Sequence, residues 1–77
     1  MLLDARNLRC PMPLLKLKQA LHRLSPGEPL TVLTTDAGSL RDFEAYLRQA
    51  GHDLLAVEQG EREFRFEIRK KGGDAPA

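Results

Sequence analysis

The fold of this chain is decided by residues 64–69, which read Phe64-Arg65-Phe66-Glu67-Ile68-Arg69. Apolar and charged side chains alternate here with a period of two, which is typical of a β-strand with one buried face and one face in water. The two phenylalanines and the isoleucine are therefore predicted to be buried, and the two arginines to be exposed. Because only one face of such a sheet needs cover, we expect the helices of the chain to lie together on that face.

Three further strands and two helices are predicted before this strand. The predicted strands are Leu2–Ala5, Leu30–Thr35, Leu54–Glu58 and Arg62–Arg69, and the predicted helices run from Pro11 to about Leu24 and from a cap at Asp36 or Ser39 to about Ala50. Right-handed crossovers in the same direction place both helices on one face of the sheet. The predicted fold is α/β (α+β), a two-layer βαβαββ sandwich with a mixed four-stranded sheet.

Each predicted helix has apolar residues at steps of three and four, the spacing of a buried face. These residues are Leu14, Leu17, Leu21 and Leu24 in the first helix and Leu40, Phe43, Leu47 and Ala50 in the second. Pro11 suits a first helical position, where its missing N–H is not needed. Ser39 and Asp42 have the spacing of a capping box, and Gly51 is a natural residue to end the second helix.

The composition is that of one small globular domain. The chain has 77 residues, 42% of them hydrophobic, and a formal net charge of +1, which excludes a strongly basic nucleic-acid arm or an acidic tail. Residues 1–70 are predicted to form a single domain and residues 71–77 a disordered tail. No stretch is apolar enough to be a membrane span or a secretory signal, so we expect a cytoplasmic location. A monomer is expected because nothing in the sequence demands a larger assembly.

Cys10 is the single cysteine and cannot form a disulfide within the chain. A metal site is not expected, because neither His22 nor His52 lies at a ligand spacing from it. Cys10 precedes a helix start and follows Arg9, and both features predict a lowered thiol pKa. The alternative is an inert thiol in the core, since free cysteines are often buried.

No general base is predicted beside Cys10. His22 lies about 18 Å further along the helix at 1.5 Å per residue, and His52 is placed at the opposite end of the sheet. A hydrolase is therefore disfavoured, whereas transfer of a group between sulfur atoms requires only an accessible thiolate. The loop after the second strand, residues 35–39, should share the edge with Cys10, with Asp36 as a helix cap. Arg41 and Asp42 are interpreted as an ordinary solvated pair.

The segment Leu3-Asp4-Ala5-Arg6-Asn7-Leu8-Arg9-Cys10-Pro11-Met12-Pro13 resembles the opening of the TusA/SirA-like sulfur-carrier family, whose hallmark is Cys-Pro-x-Pro at the start of the first helix. The resemblance extends through residues 25–28 to the closing strand. It implies the βαβαββ fold and a sulfane sulfur held on Cys10 as a persulfide. Pro11 and Pro13 match the motif prolines, Asp36 matches an acidic position after the second strand, and Arg9 supports the thiolate.

The resemblance also implies partners. The donor would be a cysteine desulfurase or a rhodanese-like protein, and the acceptor a downstream sulfur-relay protein, with no cofactor. Destinations in the family include 2-thiolation of the wobble uridine in tRNA, molybdenum-cofactor synthesis, sulfur oxidation and selenium metabolism. Familiar members have an acidic residue where this chain has Met12 and an arginine where it has His22, although Lys18 matches a basic position.

A docking surface is predicted beside Cys10. Met12 and Leu15 lie off the buried stripe of the first helix and are rimmed by Arg9, Lys16 and Lys18. Exposed apolar side chains within a basic rim would suit an acidic partner. The alternative is that Leu15 belongs to the margin of the core.

Two other functions compete with a sulfurtransferase-type carrier, which is not itself a stand-alone enzyme. The first is a thiol redox sensor, in which Cys10 is oxidised to a sulfenic acid or an intermolecular disulfide. The second is a small RNA-binding domain that uses Arg62, Arg65, Arg69, Lys70 and Lys71. Interleaved glutamates largely cancel that basic face and no aromatic side chain interrupts it, so neither direct nucleic-acid binding nor membrane binding is expected.

Overall fold

The computed structural model describes residues 1–71 and has the predicted order of elements. Its elements are β1 (Leu2–Ala5), α1 (Met12–Arg23), β2 (Pro29–Thr34), α2 (Ser39–Ala50), β3 (Asp53–Gln59) and β4 (Phe64–Arg69). The strands form one sheet in the order β1-β2-β4-β3, with β1 parallel to β2 and the other two pairings antiparallel. The predicted mixed sheet is confirmed. The predicted tail lies outside the described residues except for Lys71.

Both helices pack around a single apolar core on one face of the sheet. The fully or almost fully buried core side chains are Leu17 and Leu21 from α1, Phe43 and Leu47 from α2, and Ala5, Leu30, Val32, Phe66 and Ile68 from the strands. The rings of Phe43 and Phe66 lie 4.6 Å apart between centroids, which joins α2 to the centre of the sheet. Burial of these side chains provides the main driving force for folding.

The other face of the sheet is polar, as the alternation in β4 predicts. Thr31 on β2 donates a hydrogen bond of 2.9 Å to Glu67 on β4, and Arg65 donates one of 2.8 Å to the same carboxylate. These contacts hold the pKa of Glu67 below its usual range, the threonine having the larger effect. Phe64 is only partly buried, contrary to the prediction, because it is the first residue of β4 and lies at the end of the sheet.

The start of α1 differs by one residue from the prediction. The helix begins at Met12, so Pro11 is the N-cap residue and Pro13 is the second helical residue. Pro13 is buried, which anchors the first turn in the core. The two prolines therefore fix the position of the helix start without interrupting its hydrogen bonds.

The start of α2 is not capped as predicted. Gly38 is its N-cap residue, Ser39 is the first helical residue, and no side chain accepts a capping hydrogen bond. Both predicted caps, Asp36 and Ser39, were therefore wrong. The predicted end at Gly51 is confirmed: its φ of 86° is in the left-handed region that favours glycine, and its N–H bonds to the Leu47 carbonyl at 2.9 Å.

Each helix has 12 residues. Within residues 1–71, neither helix has the length and apolar character needed to cross a membrane.

Candidate functional site

Cys10 lies in the loop that follows β1, at the carboxyl end of the parallel pair β1 and β2. The loop turns into α1 through a hydrogen bond of 2.8 Å from the Met12 N–H to the Arg9 carbonyl, and the Cys10–Pro11 peptide bond is cis. Cys10 is exposed. The alternative of an inert thiol in the core is therefore wrong, and the sulfur is open to another molecule.

The loop after β2 shares this edge with Cys10, as predicted. The Asn7 N–H donates a 2.8 Å hydrogen bond to Thr35 Oγ1, which ties the two loops together. Asn7 has a φ of 67°, a conformation that asparagine tolerates better than most residues. A surface depression of about 310 Å³ lies between the loops, and residues from both of them line it: Asn7, Leu8, Arg9, Thr35 and Asp36.

Asp42 contacts Cys10 directly, and the sequence did not predict this contact. The Cys10 thiol donates a hydrogen bond to Asp42 Oδ2, with the sulfur and oxygen 3.2 Å apart. Asp42 is in the first turn of α2 and is partly buried, so its interpretation as half of a solvated pair with Arg41 was wrong. Its position at a helix start on the edge predicted for Cys10 was the available signal, but it was assigned to a capping box.

The electrostatic surroundings of Cys10 are acidic, which contradicts the prediction of a lowered thiol pKa. The hydrogen bond to Asp42 raises the thiol pKa, and desolvation and the negative charges of Asp42 and Asp36 raise it further. Cys10 itself precedes the N-cap residue Pro11 and lies outside the helix. The net effect on the thiol pKa is therefore upward, opposite to the lowering expected from the helix start and Arg9.

The predicted docking residues lie beside Cys10 on an exposed part of α1. Met12 is 39% exposed and Leu15 is 45% exposed, so Leu15 does not belong to the margin of the core. At 100° per residue, Lys16 and Lys18 lie on either side of Leu15. The Lys18 ammonium also lies 5.1 Å from the centroid of the Tyr46 ring, a cation–π contact with α2.

Asp36 lies in the same loop cluster without capping α2. Its carbonyl accepts a 3.0 Å hydrogen bond from the Ser39 N–H, which shapes the turn. A Cβ atom at Gly38 would lie 3.1 Å from Asp36 Oδ2, so glycine leaves room for this carboxylate. The negative charge of Asp36 thereby stays close enough to Cys10 to affect its pKa.

Both histidines lie away from Cys10, at the opposite end of the sheet, as predicted for His52. His22 and His52 line one cavity of about 180 Å³ together with Tyr46 and Lys70. Burial lowers the pKa of His52, followed by the charges of Lys71 and Lys70, and its Nδ1 accepts a 3.0 Å hydrogen bond from the Lys71 N–H. No group of three metal-ligating side chains occurs in the part of the chain that the structure describes.

Comparison with known proteins gives consistent matches over this domain. The family model described as "Sulfurtransferase TusA" matches residues 1–70. A "Sulfur carrier protein TusA" from Allochromatium vinosum is 41% identical over 68 residues, which cover 88% of this chain and 90% of that protein. The crystal structure of a SirA-like protein from Desulfitobacterium hafniense has the same fold, with a TM-score of 0.78, 24% identity, and coverage of 91% of this chain and 96% of that one.

Proposed function

The chain belongs to the TusA family of sulfurtransferases, and from this premise we propose that it is a sulfur carrier that holds sulfane sulfur as a persulfide on Cys10. The observation that carries the proposal is the exposure of the chain's single cysteine at the start of α1. Neither methionine thioether can be converted to a persulfide. Cys10 Sγ is therefore the one sulfur atom of the chain that can accept a second sulfur.

The proposed reaction is an exchange between sulfur atoms. Cys10 Sγ attacks the outer sulfur of a donor persulfide, R–S–SH, so that a new Sγ–S bond forms while the donor S–S bond breaks. The donor becomes a thiol as the Cys10 thiol becomes a persulfide, and no external oxidant is consumed. The acceptor takes the sulfur by the reverse of this step.

The surroundings of Cys10 suit a protein donor and a protein acceptor. Met12 and Leu15 present exposed apolar surface at the start of α1, and Arg9, Lys16 and Lys18 add positive charge beside these two side chains. Such a surface fits an acidic face of a partner. Pro13 supports the site by anchoring the first turn of α1, and Asp36 by shaping the β2–α2 loop.

The proposed donor is a cysteine desulfurase or a rhodanese-like protein, and the acceptor is the next protein of a sulfur relay. The proposed destinations are 2-thiolation of the tRNA wobble uridine, molybdenum-cofactor synthesis or related sulfur metabolism. Familiar members have an acidic residue at the position of Met12. A tRNA-pathway partner that binds this acidic side chain would not find it in this chain. We further propose that residues 1–70 perform this role as a monomeric domain in the cytoplasm.

The two competing functions have less support in the structure. Redox-sensing thiols have a low pKa, whereas Asp42 raises the pKa of Cys10. Of the five cations of the nucleic-acid alternative, Arg65 is paired with Glu67 at 2.8 Å, and the Lys70 ammonium donates a 2.7 Å hydrogen bond to the Leu24 carbonyl.

The experiment is a mass measurement after incubation with a cysteine desulfurase and cysteine. We expect the intact protein to gain the mass of one sulfur atom, a thiol reductant to remove it, and the Cys10→Ser variant to gain nothing. Hydrogen peroxide alone should not produce this species. If peroxide modified Cys10 readily while neither a desulfurase nor a small persulfide added sulfur, the chain would be a redox sensor instead.

A further inference from the structure

The Cys10 thiol and the Asp42 carboxylate make a direct contact between the loop before α1 and the first turn of α2, which are far apart in sequence. The sulfur is the donor, because an ionised carboxylate can only accept, and the 3.2 Å between Sγ and Oδ2 is within the range for a sulfur hydrogen bond. Asp42 approaches from α2, whereas Cys10 belongs to the loop before α1. A proton on Sγ therefore points at a carboxylate oxygen before any partner binds.

The Asp42 carboxylate has no other role among residues 1–71. Its backbone N–H bonds to the Gly38 carbonyl as part of the helix, and no side chain caps the start of α2. None of the ion pairs in the described part of the chain includes Asp42. Its oxygens are therefore free to take a proton from sulfur.

We propose that Asp42 is the proton acceptor of the sulfur-transfer step, an inference that rests on the proposed carrier function of Cys10. As Sγ attacks the outer sulfur of a donor persulfide R–S–SH, the Sγ–H bond breaks and its proton moves to Asp42 Oδ2. The Sγ–S bond forms, the donor S–S bond breaks, and the donor leaves as the thiolate R–S⁻. The proton on Asp42 then passes to R–S⁻, which leaves Cys10–S–SH, R–SH and an ionised Asp42.

The charges around Sγ explain why a proton acceptor is needed. Asp42 from α2 and Asp36 from the β2–α2 loop are both negative, and Arg9 is the one cation next to Cys10 in its own loop. The hydrogen bond to Asp42, followed by desolvation and the charges of the two carboxylates, raises the thiol pKa and so disfavours a free thiolate. Removal of the proton during the attack avoids the cost of forming that thiolate first.

The test compares two properties that Asp42→Asn should move in opposite directions. The variant loses the negative charge, so the midpoint of thiolate formation, followed by ultraviolet absorbance against pH, should shift to lower pH. The rate of sulfur uptake from glutathione persulfide, a small donor that needs no docking surface, should fall by about tenfold or more at pH 7, since general bases contribute about 10²–10⁴-fold. A purely electrostatic role would lower the midpoint and raise the rate.

Glu44→Gln is the matched control, because Glu44 is an exposed carboxylate on the same helix that does not contact Cys10. Glu44→Gln should leave the rate of sulfur uptake within about twofold of the wild-type rate, and the midpoint of thiolate formation within roughly a few tenths of a pH unit. A second variant, Asp42→Ala, should regain uptake when acetate is added as a soluble base. Far-UV circular dichroism checks that each variant is folded.

The outcomes separate this inference from the proposed function. Uptake by Asp42→Asn at or above the wild-type rate, or no effect of acetate on Asp42→Ala, would overturn the role of Asp42 while Cys10 remained the carrier. Failure of the wild type to take up sulfur from either glutathione persulfide or a desulfurase would instead overturn the carrier function itself.

Discussion

The apolar core differs in its packing from the edge of the sheet that carries Cys10, which consists of the loops after β1 and β2 and the start of α2. In the core, Phe43 and Phe66 are fully buried and their rings are in contact. At the edge, an exposed thiol faces a carboxylate, and the side-chain oxygens of Thr34 and Ser39 are buried without a hydrogen-bond partner among residues 1–71. The core supplies the stability, whereas the edge holds an exposed thiol and buried hydroxyls at some expense of stability.

The unpartnered hydroxyls at the edge lower the free energy of unfolding by an amount that can be gauged. A buried hydroxyl without a partner costs roughly 1–3 kcal/mol in unfolding free energy. The exposed apolar side chains Met12 and Leu15 add nothing to the core. Features of this kind are common where function limits stability. Substitutions in the two regions should therefore have different effects on stability and on sulfur transfer.

The largest effect on stability is expected in the core, for Phe66→Ala. This substitution removes a fully buried ring and should lower the free energy of unfolding by about 3–5 kcal/mol. A domain of this size has on the order of 5 kcal/mol in total, so the variant could unfold at room temperature. Urea unfolding followed by circular dichroism measures the change. A loss below about 1 kcal/mol would mean that the core is not organised around Phe66.

Thr34→Val should stabilise the protein, in contrast to Phe66→Ala. Valine has nearly the same shape and removes the unpartnered hydroxyl, so the free energy of unfolding should rise by about 1 kcal/mol. The same unfolding experiment detects it as a higher urea midpoint. Val32→Thr on the same strand is the control, because it buries a hydroxyl in the core and should destabilise the protein. Destabilisation by Thr34→Val would show that the Thr34 hydroxyl has a partner in solution.

Arg65→Ala should have a small effect on stability and none on sulfur loading. Arg65 is exposed and its ion pair with Glu67 is on the wet face of the sheet, so the change should be about half a kcal/mol or less. Persulfide formation on Cys10, measured by intact mass with a desulfurase as donor, should be unaffected. If Arg65→Ala abolished loading while the fold survived, partners would dock on the sheet face and the docking surface on α1 would be wrong.

Cys10→Ser should have the smallest effect on stability and the largest on function. Serine can donate to Asp42 in place of the thiol, and the site is exposed, so we expect a change within about 0.5 kcal/mol. Thermal unfolding of the two proteins measures it. An unfolded Cys10→Ser variant would contradict the separation of stability from chemistry on which the comparison depends.

The sequence predicted the core better than the edge for a physical reason. The alternation in β4 and the apolar spacing in α1 and α2 report burial directly. The departures are Phe64, at the end of its strand, and three residues predicted to be buried near the helix ends, Leu14, Leu40 and Ala50, all of which are only partly buried. The edge depends on contacts between loops. Local spacing made Ser39 and Asp42 look like a capping box, whereas the fold brings Asp42 to Cys10 across 32 positions of sequence.

The direction of the Cys10 pKa was mispredicted for the same reason. The local signals, Arg9 and a helix start, favour a thiolate, and both lie within two residues of Cys10. The groups that raise the pKa of Cys10 come from elsewhere in the chain: Asp42 from α2 and Asp36 from the loop between β2 and α2. Their effect can be read only once the strand order places both loops at one edge.

The most direct test of the central claim locates the sulfur atom after loading. The wild-type protein is incubated with a cysteine desulfurase and cysteine, alkylated, and digested with trypsin, which releases the peptide of residues 10–16. We expect one additional sulfur atom on Cys10 in this peptide, lost on treatment with a thiol reductant before alkylation. An active donor that leaves this peptide without additional sulfur, or sulfur found only on another peptide, would show that Cys10 is not the sulfur carrier.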